Sequence, residues 1–234
     1  MNIGVLVADE VRSELAPRFG QYPTMFESLL RSVDPSIDVH GYAVHRGEYP
    51  QDIDAVDAYI ISGSRFSAYD DEPWIHRFSE FVKHLHERRK KLVGICFGHQ
   101  LIAHALGGRT EKSAKGWGIG VQTLQLSAQA YGEKTEQFQL LANHQDQVVE
   151  PVPGSTVLAG NEFCPIGMYS IDEHILAFQG HPEFSPAFAR EFYKLRREQY
   201  GEQPYQTAIA SLEVPADNKI VACWIVDFIQ HKLY

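Results

Sequence analysis

Between Lys91 and Gly108 the chain reads K-L-V-G-I-C-F-G-H-Q-L-I-A-H-A-L-G-G, and two hydrophobic periods meet inside it. Leu92, Val93 and Ile95 form a short apolar run, as a buried strand does. Leu101, Ile102, Ala105 and Leu106 then recur at helical spacing, and Gly107 and Gly108 end the pattern. Cys96 stands at the switch, with Gly94 and Gly98 two residues to either side. G-x-C-x-G is the thiol counterpart of the strand–nucleophile–helix elbow. A turn this sharp forces unusual backbone angles on its central residue and brings neighbouring backbone close, where a Cβ would clash. The start of a helix also favours a thiolate, because its unpaired N–H groups and dipole stabilise negative charge. A bare cysteine in an α/β core is more often a packed one; the two glycines and the change of period favour a nucleophile here.

Outward from this stretch the same alternation of strand and helix continues. Upstream, Ile3–Ala8 is a continuous apolar run, and Asp9–Gly20 reads as a loop containing Pro17. Thr24–Val33 carries Met25, Phe26, Leu29 and Leu30 on one helical face, with Thr24 expected as its N-cap. Ile37–Ala43 and Ala58–Ile61 read as strands, and Asp71, Glu72 and Pro73 open a helix that runs through His86. Downstream, Trp117–Leu126 and Thr156–Phe178 read as several strands with turns, ending in the apolar Ile175–Phe178. Pro186–Glu198, Pro204–Leu212 and Asp217–Leu233 return to helices. The pattern predicts an α/β fold, a doubly wound, mostly parallel sheet with helices on both faces and a small antiparallel extension. A single domain over residues 1–234 is expected, with extra helices from about residue 186.

The totals narrow the function. Of 234 residues, 44% are hydrophobic and 22% charged, as in ordinary globular chains, and the net charge of −9 argues against nucleic-acid binding. No apolar run approaches membrane-spanning length, and the opening M-N-I-G-V-L-V lacks the basic start of a signal peptide. Three widely spaced cysteines, Cys96, Cys164 and Cys223, fit neither a disulfide framework nor a cysteine zinc site and suggest a reducing compartment. A cytoplasmic location is expected. No cofactor or metal is called for.

A cysteine nucleophile needs a base, and the base needs a partner that fixes its tautomer. There are eleven histidines. His84 and His86 lie in a basic stretch and read as surface residues; His99 and His104 belong to the elbow helix; His144 reads as a hydrogen-bonded loop residue. His181 differs, because it follows the apolar strand Ile175–Phe178 and so reaches the rim where Cys96 lies. Glu183 is two residues on, and Pro182 stiffens the link between them. The loop Ser62-Gly63-Ser64, after the strand Ala58–Ile61, reaches the same rim, where a backbone N–H can face a reacting carbonyl.

G-I-C-F-G-H-Q at Gly94–Gln100, S-G-S at Ser62–Ser64, H-Q-D at His144–Asp146 and G-H-P-E at Gly180–Glu183 come in an order and spacing that resemble the class I, triad-type glutamine amidotransferase domain. The resemblance covers Ile3 to about Tyr193. It implies a flavodoxin-like sheet, Cys96 as nucleophile, His181 as general base and acid, and Glu183 as its orienter. It also implies oxyanion donors at the Ser64 and Phe97 backbone amides, and glutamine held by Gly63, Gln100, Gln145 and Asp146. Many members carry a second glycine where Ser64 stands; the amide survives that change. The implied reaction is γ-glutamyl transfer to Cys96, release of ammonia or an amine, and hydrolysis of the thioester.

The acceptor stays open. No G-x-x-x-x-G-K-[ST] loop supplies a synthetase part. An ammonia-producing subunit with a synthetase partner in trans is one reading. A free-standing hydrolase of glutamine or other γ-glutamyl compounds, such as a γ-glutamyl peptidase acting on glutathione-like substrates, is another. A catalytically silent binding module is a third, which the intact Cys96, His181 and Glu183 oppose. Phe66, Tyr69 and Trp74, on or after the Ser62–Ser64 loop, either wall a pocket or pack into the core.

Overall fold

The apolar runs become strands buried on both faces. In the computed structural model, which describes residues 1–127 and 136–230, the strands are β1 (Asn2–Leu6), β2 (Asp38–Tyr42), β3 (Ala58–Ile61), β4 (Lys91–Ile95), β5 (Arg109–Lys112), β6 (Gly118–Leu126), β7 (Gln137–His144), β8 (Asp146–Glu150), β9 (Ser155–Gly160), β10 (Met168–Ile171) and β11 (Ile175–Phe178). The helices are α1 (Ala16–Phe19), α2 (Tyr22–Arg31), α3 (Pro73–Glu87), α4 (Phe97–Ala105), α5 (Pro186–Leu195), α6 (Arg197–Tyr200), α7 (Glu202–Ser211) and α8 (Asn218–Ile229).

Five strands in the order β2-β1-β3-β4-β11 pair in parallel. This is the flavodoxin-like doubly wound order. The sheet continues antiparallel through β10, β9, β6 and β7, and β5 pairs with β8 in a separate antiparallel ribbon. Successive residues of each parallel strand feed two cores. Ile3 and Val5 join Phe26 of α2 and Ile225 of α8, whereas Leu6 and Ala8 join Phe78 and Val82 of α3. Helices therefore cover both faces, as expected from continuous apolar strands. Each fully buried Ile, Leu or Phe of these layers stabilises the fold by about 1.5–3 kcal/mol.

Several boundaries differ from the sequence reading, each for a local reason. Thr24 is not the N-cap of α2, because Gln21 is, with Pro23 in the first turn. A proline loses nothing there, since its missing N–H would be unpaired anyway. Gln21 does not cap with its side chain; its Oε1 accepts the Val11 N–H at 2.8 Å. The Asp9–Gly20 segment holds the one-turn helix α1, again with proline in its first turn. The helix expected over Pro186–Glu198 breaks at Arg196 into α5 and α6. α8 ends at Ile229, and residues 231–233 of the helix expected there lie outside the described residues. His144, read as a loop residue, closes β7, and the H-Q-D stretch is a tight link to Asp146, which opens β8. His86 is half-buried and one side of it is engaged: its Nδ1 lies 2.9 Å from His174 Nε2, and the two rings stack at 5.0 Å. Among the described residues no helix is long and apolar enough to cross a membrane.

Candidate active site

Strands β3, β4 and β11 are neighbours, so the segments leaving their carboxyl ends meet at one edge of the sheet. In doubly wound folds that carboxyl edge is where ligands bind. Gly63 and Ser64 arrive from β3, Cys96 from β4, and His181 and Glu183 from β11.

The elbow has the strain its glycines suggest. Cys96 has φ 51° and ψ −98°, a region that non-glycine residues seldom occupy. A Cβ on Gly94 would lie 2.8 Å from the Gly98 carbonyl, and a Cβ on Gly98 would lie 2.6 Å from Ile61 Cβ. Both glycines are thus required by close approach. The Cys96 N–H donates to Phe178 O at 2.9 Å, which fastens the turn to β11. Its Sγ lies 3.9 Å from Asn143 O.

His181 is fixed from four sides. Its Nδ1 lies 2.7 Å from Glu183 Oε1, so the carboxylate selects the tautomer that carries hydrogen on Nδ1. Its ring stacks on Phe184, with centroids 3.9 Å apart and planes 6° from parallel. Its N–H donates to Leu141 O at 2.7 Å. Gly63 passes close beside the ring, where a Cβ would fall 2.9 Å from Cε1. Nε2, by contrast, is buried without a hydrogen-bond partner among the described residues. Burial pushes the imidazole pKa down, but the Glu183 carboxylate and the Cys96 side chain outweigh it, and the net shift is upward from the ordinary histidine value.

The two amides expected as oxyanion donors lie on segments that leave β3 and β4 at the same sheet edge. No hydrogen bond within the described residues takes the Ser64 or the Phe97 N–H. The next amide, Arg65 N–H, donates to Asp9 Oδ2 at 3.0 Å, and Ser64 Oγ donates to Ala8 O at 3.3 Å, which fixes the loop's course. Asp9, just beyond β1, was not signalled by any motif.

Two cavities meet at Cys96. The larger, about 330 Å³, includes His181, Phe184, Phe188 and Tyr22 in its wall. The smaller, about 140 Å³, includes Gln100, Lys112, Gln145 and Asp146. Ser64, Arg65, Cys96, Asn143 and Arg196 border both. The expected substrate-binding residues therefore divide. Gln145 and Asp146 line the smaller cavity, and Tyr69 donates its hydroxyl to Asp146 Oδ1 at 3.1 Å. Gln100 lines it too, but its Nε2 already donates to Asp146 O and Gln179 Oε1, at 2.8 and 3.1 Å. Gly63 lines neither and instead leaves room for His181. Of the aromatic residues after β3, Phe66 walls the smaller cavity and Trp74 packs on Phe97 at 5.8 Å.

Sequence reasoning missed the contribution of the C-terminal segment. Tyr193 donates to Ala142 O at 2.6 Å and Tyr200 to Asn143 Oδ1 at 2.5 Å, so α5 and α6 clamp the end of β7 beside Cys96. The signal available was the cluster of Phe192, Tyr193, Arg196 and Tyr200 at near-helical spacing. Among the described residues no group of three or more His, Cys, Asp or Glu is placed to hold a metal ion.

His99 and His144 lie buried near the site with opposite electrostatics to His181. Neither ring nitrogen of His99 makes a well-aligned hydrogen bond. Burial lowers its pKa to about 3, against the opposing pull of the Ala177 and Ile166 carbonyls. Burial likewise lowers His144 to about 4. Both folded values lie below the unfolded one of about 6.5, so the unfolded chain binds more protons in that window and stability falls as pH drops through it. We expect each to remove about 1.4 kcal/mol per pH unit between its folded pKa and about 6.5. Urea midpoints measured across that range check this: His99→Gln should flatten the acid side of the profile, and an unchanged slope would contradict a neutral buried His99.

The relatives agree with this architecture. The family model described as glutamine amidotransferase class-I matches residues 20–194. A glutamine amidotransferase-like protein of Schizosaccharomyces pombe is 34% identical over 97% of this chain and 98% of its own. γ-Glutamyl peptidase 4 of Arabidopsis thaliana is 34% identical over 74% of this chain and 72% of its own. A glutamine amidotransferase crystal structure from Thermotoga maritima superposes with a TM-score of 0.76 at 16% identity, covering 99% of this chain and 97% of that one, and shares the fold. A sheet of this order with an edge site of this kind defines an α/β protein of the doubly wound class. The chain belongs to the class I glutamine amidotransferase family.

Proposed function

We propose that this protein hydrolyses γ-glutamyl amides, glutamine and γ-glutamyl peptides alike, through a thioester on Cys96. The observation that carries this is the meeting of Cys96, His181 and Glu183 at one sheet edge, with a buried, unpartnered His181 Nε2 and a cavity on either side. Sγ attacks the γ-carbonyl carbon, forming a C–S bond, and the oxygen takes up negative charge beside the Ser64 and Phe97 N–H groups. Losing one such donor typically costs about 3 kcal/mol. His181 gives its Nε2 proton to the departing nitrogen as the C–N bond breaks. Water then attacks the thioester, His181 takes its proton, and the C–S bond breaks to release glutamate and restore the thiolate. Glu183 holds the ring in register throughout.

The larger cavity favours γ-glutamyl peptides over glutamine as the better substrates. It contains His181, which protonates the leaving nitrogen, so the leaving group lies on that side. Ammonia would leave about 330 Å³ unused. The smaller cavity, with Asp146 and Lys112 for an α-amino and an α-carboxylate group, suits the glutamyl half. The γ-glutamyl peptidases among the relatives are in keeping with this.

Steady-state assay of the purified chain tests the proposal. We expect unaided turnover of both glutamine and γ-glutamylglycine, with kcat/KM about tenfold higher for the peptide because only it gains binding energy in the larger cavity. Turnover of neither until a second protein is added would replace this reading with an ammonia-donating subunit and a synthetase partner in trans.

A further inference from the structure

Arg196 stands at the boundary of the two cavities and is held there without a counter-ion. Its guanidinium carbon lies 4.8 Å from the Trp117 ring centroid and 5.4 Å from those of Phe192 and Tyr200. Nε donates to Gln199 Oε1 at 2.9 Å. The neighbouring arginines on the same segment are paired, Arg190 with Glu213 at 3.2 Å and Arg197 with Glu202 at 2.6 Å. Among the described residues, no carboxylate lies within 4.0 Å of Arg196. The acids on the facing Asp9–Glu14 loop are engaged elsewhere. Asp9 accepts the Arg65 and Glu10 N–H groups, Glu10 pairs with Arg46, and Glu14 accepts the Ser13 hydroxyl. A guanidinium packed on three rings has lost much of its rotational freedom already, so little more is lost when it grips an anion.

We infer that Arg196 is a specificity-determining residue that binds a carboxylate on the amine leaving group. This rests on the γ-glutamyl hydrolase reading above and goes on to name which leaving groups the site prefers: amino acids and peptides with a free carboxylate within reach of the scissile nitrogen, rather than neutral amines. Two observations assign the carboxylate to the leaving group and not to the glutamyl half. Lys112 already provides the smaller cavity with a cation of its own. His181, which must face the leaving nitrogen, shares the larger cavity with Arg196. Arg65 borders both cavities as well, but its side chain is 73% exposed and lies 3.8 Å from Asp9. Arg12, also on the larger cavity's wall, stacks on no ring among the described residues and stands exposed on its loop. The family match ends at residue 194, so Arg196 belongs to the part of this chain outside that shared region.

The test compares γ-glutamylglycine with γ-glutamylglycinamide, which has the same shape without the charge. In the unaltered protein kcat/KM should favour the acid. Arg196→Met keeps the packed stem and should lower the acid-to-amide ratio by about 10- to 100-fold, the range for a charge-assisted hydrogen bond; Arg196→Lys should restore part of it. A proportional loss on both substrates, with the ratio unchanged, would overturn the assignment and make Arg196 structural. Calorimetric binding of the same two compounds to Cys96→Ala reads the ratio without turnover. If the unaltered protein is inactive yet Cys96→Ala prefers the acid and loses that preference with Arg196→Met, the hydrolase reading fails and the Arg196 assignment stands. Equal binding of acid and amide, or binding of neither, overturns it.

Discussion

Cys96→Ala is expected to lower kcat on γ-glutamyl substrates by on the order of 10⁶-fold, the scale seen when a covalent nucleophile is removed. The folded state should survive. The side chain is 5% exposed and its Sγ makes only a weak approach to Asn143 O, 3.9 Å away, besides its interaction with His181, so alanine removes one sulfur from a small space. Alanine inherits the same strained φ of 51° and neither relieves nor adds to it. Assay of the variant beside a thermal melt separates the two effects, and near-normal turnover in a folded variant would end the thioester mechanism. Labelling gives an independent check. A γ-glutamyl electrophile should modify Cys96 and spare Cys164, whose thiol burial pushes up to about 12.

Glu183→Gln is the second large effect expected, a loss of about 10⁴-fold in kcat, smaller than that of His181→Ala because orienters contribute less than bases. The amide fills the same buried space, 2.7 Å from Nδ1, but it removes the charge that holds the imidazolium. The same charge sets the sign of the pH dependence. Although burial lowers the His181 pKa, Glu183 and Cys96 raise it above its unfolded value. The stability it contributes is therefore complete below the unfolded value of about 6.5 and is lost as pH rises through the folded one. The destabilisation caused by Glu183→Gln should be larger near about pH 6 than near about pH 9. Urea midpoints at the two pH values measure it, and a difference that grows with pH would contradict the charge pairing.

Sequence reading reached as far as local patterning encodes the fold. The elbow was legible because a strand period, a helix period and two glycines meet within a few residues of Cys96, and close contacts in the folded chain require both glycines. His181 was legible because an apolar strand delivers it to the rim. Helix starts were less so: Thr24 looked like a cap, but Pro23 in the first turn moved the start back to Tyr22. Features made by distant partners left no local trace. His86 meets His174, 88 residues away, Asp9 binds an amide 56 residues on, and Tyr200 reaches back 57 residues to Asn143. Gln100 and Gly63 were expected as substrate-binding residues from the resemblance, but their contacts inside the fold, to Asp146 and beside His181, arise only from the packed arrangement.

The place of β4 in the sheet also sets a timetable for the molecule's birth. Its partner on one side, β3, precedes it in the chain, but its partner on the other, β11, is made only after a further run of more than seventy residues. At ordinary translation speeds that is a delay of roughly several seconds. During it the thiol emerges without His181, its proposed base, and without the Phe178 carbonyl that anchors its turn. A partly synthesised chain thus carries the Cys96 thiol before the His181 and Glu183 that meet it in the folded protein. On the proposed thioester reading, its chemistry is withheld until synthesis has passed Glu183.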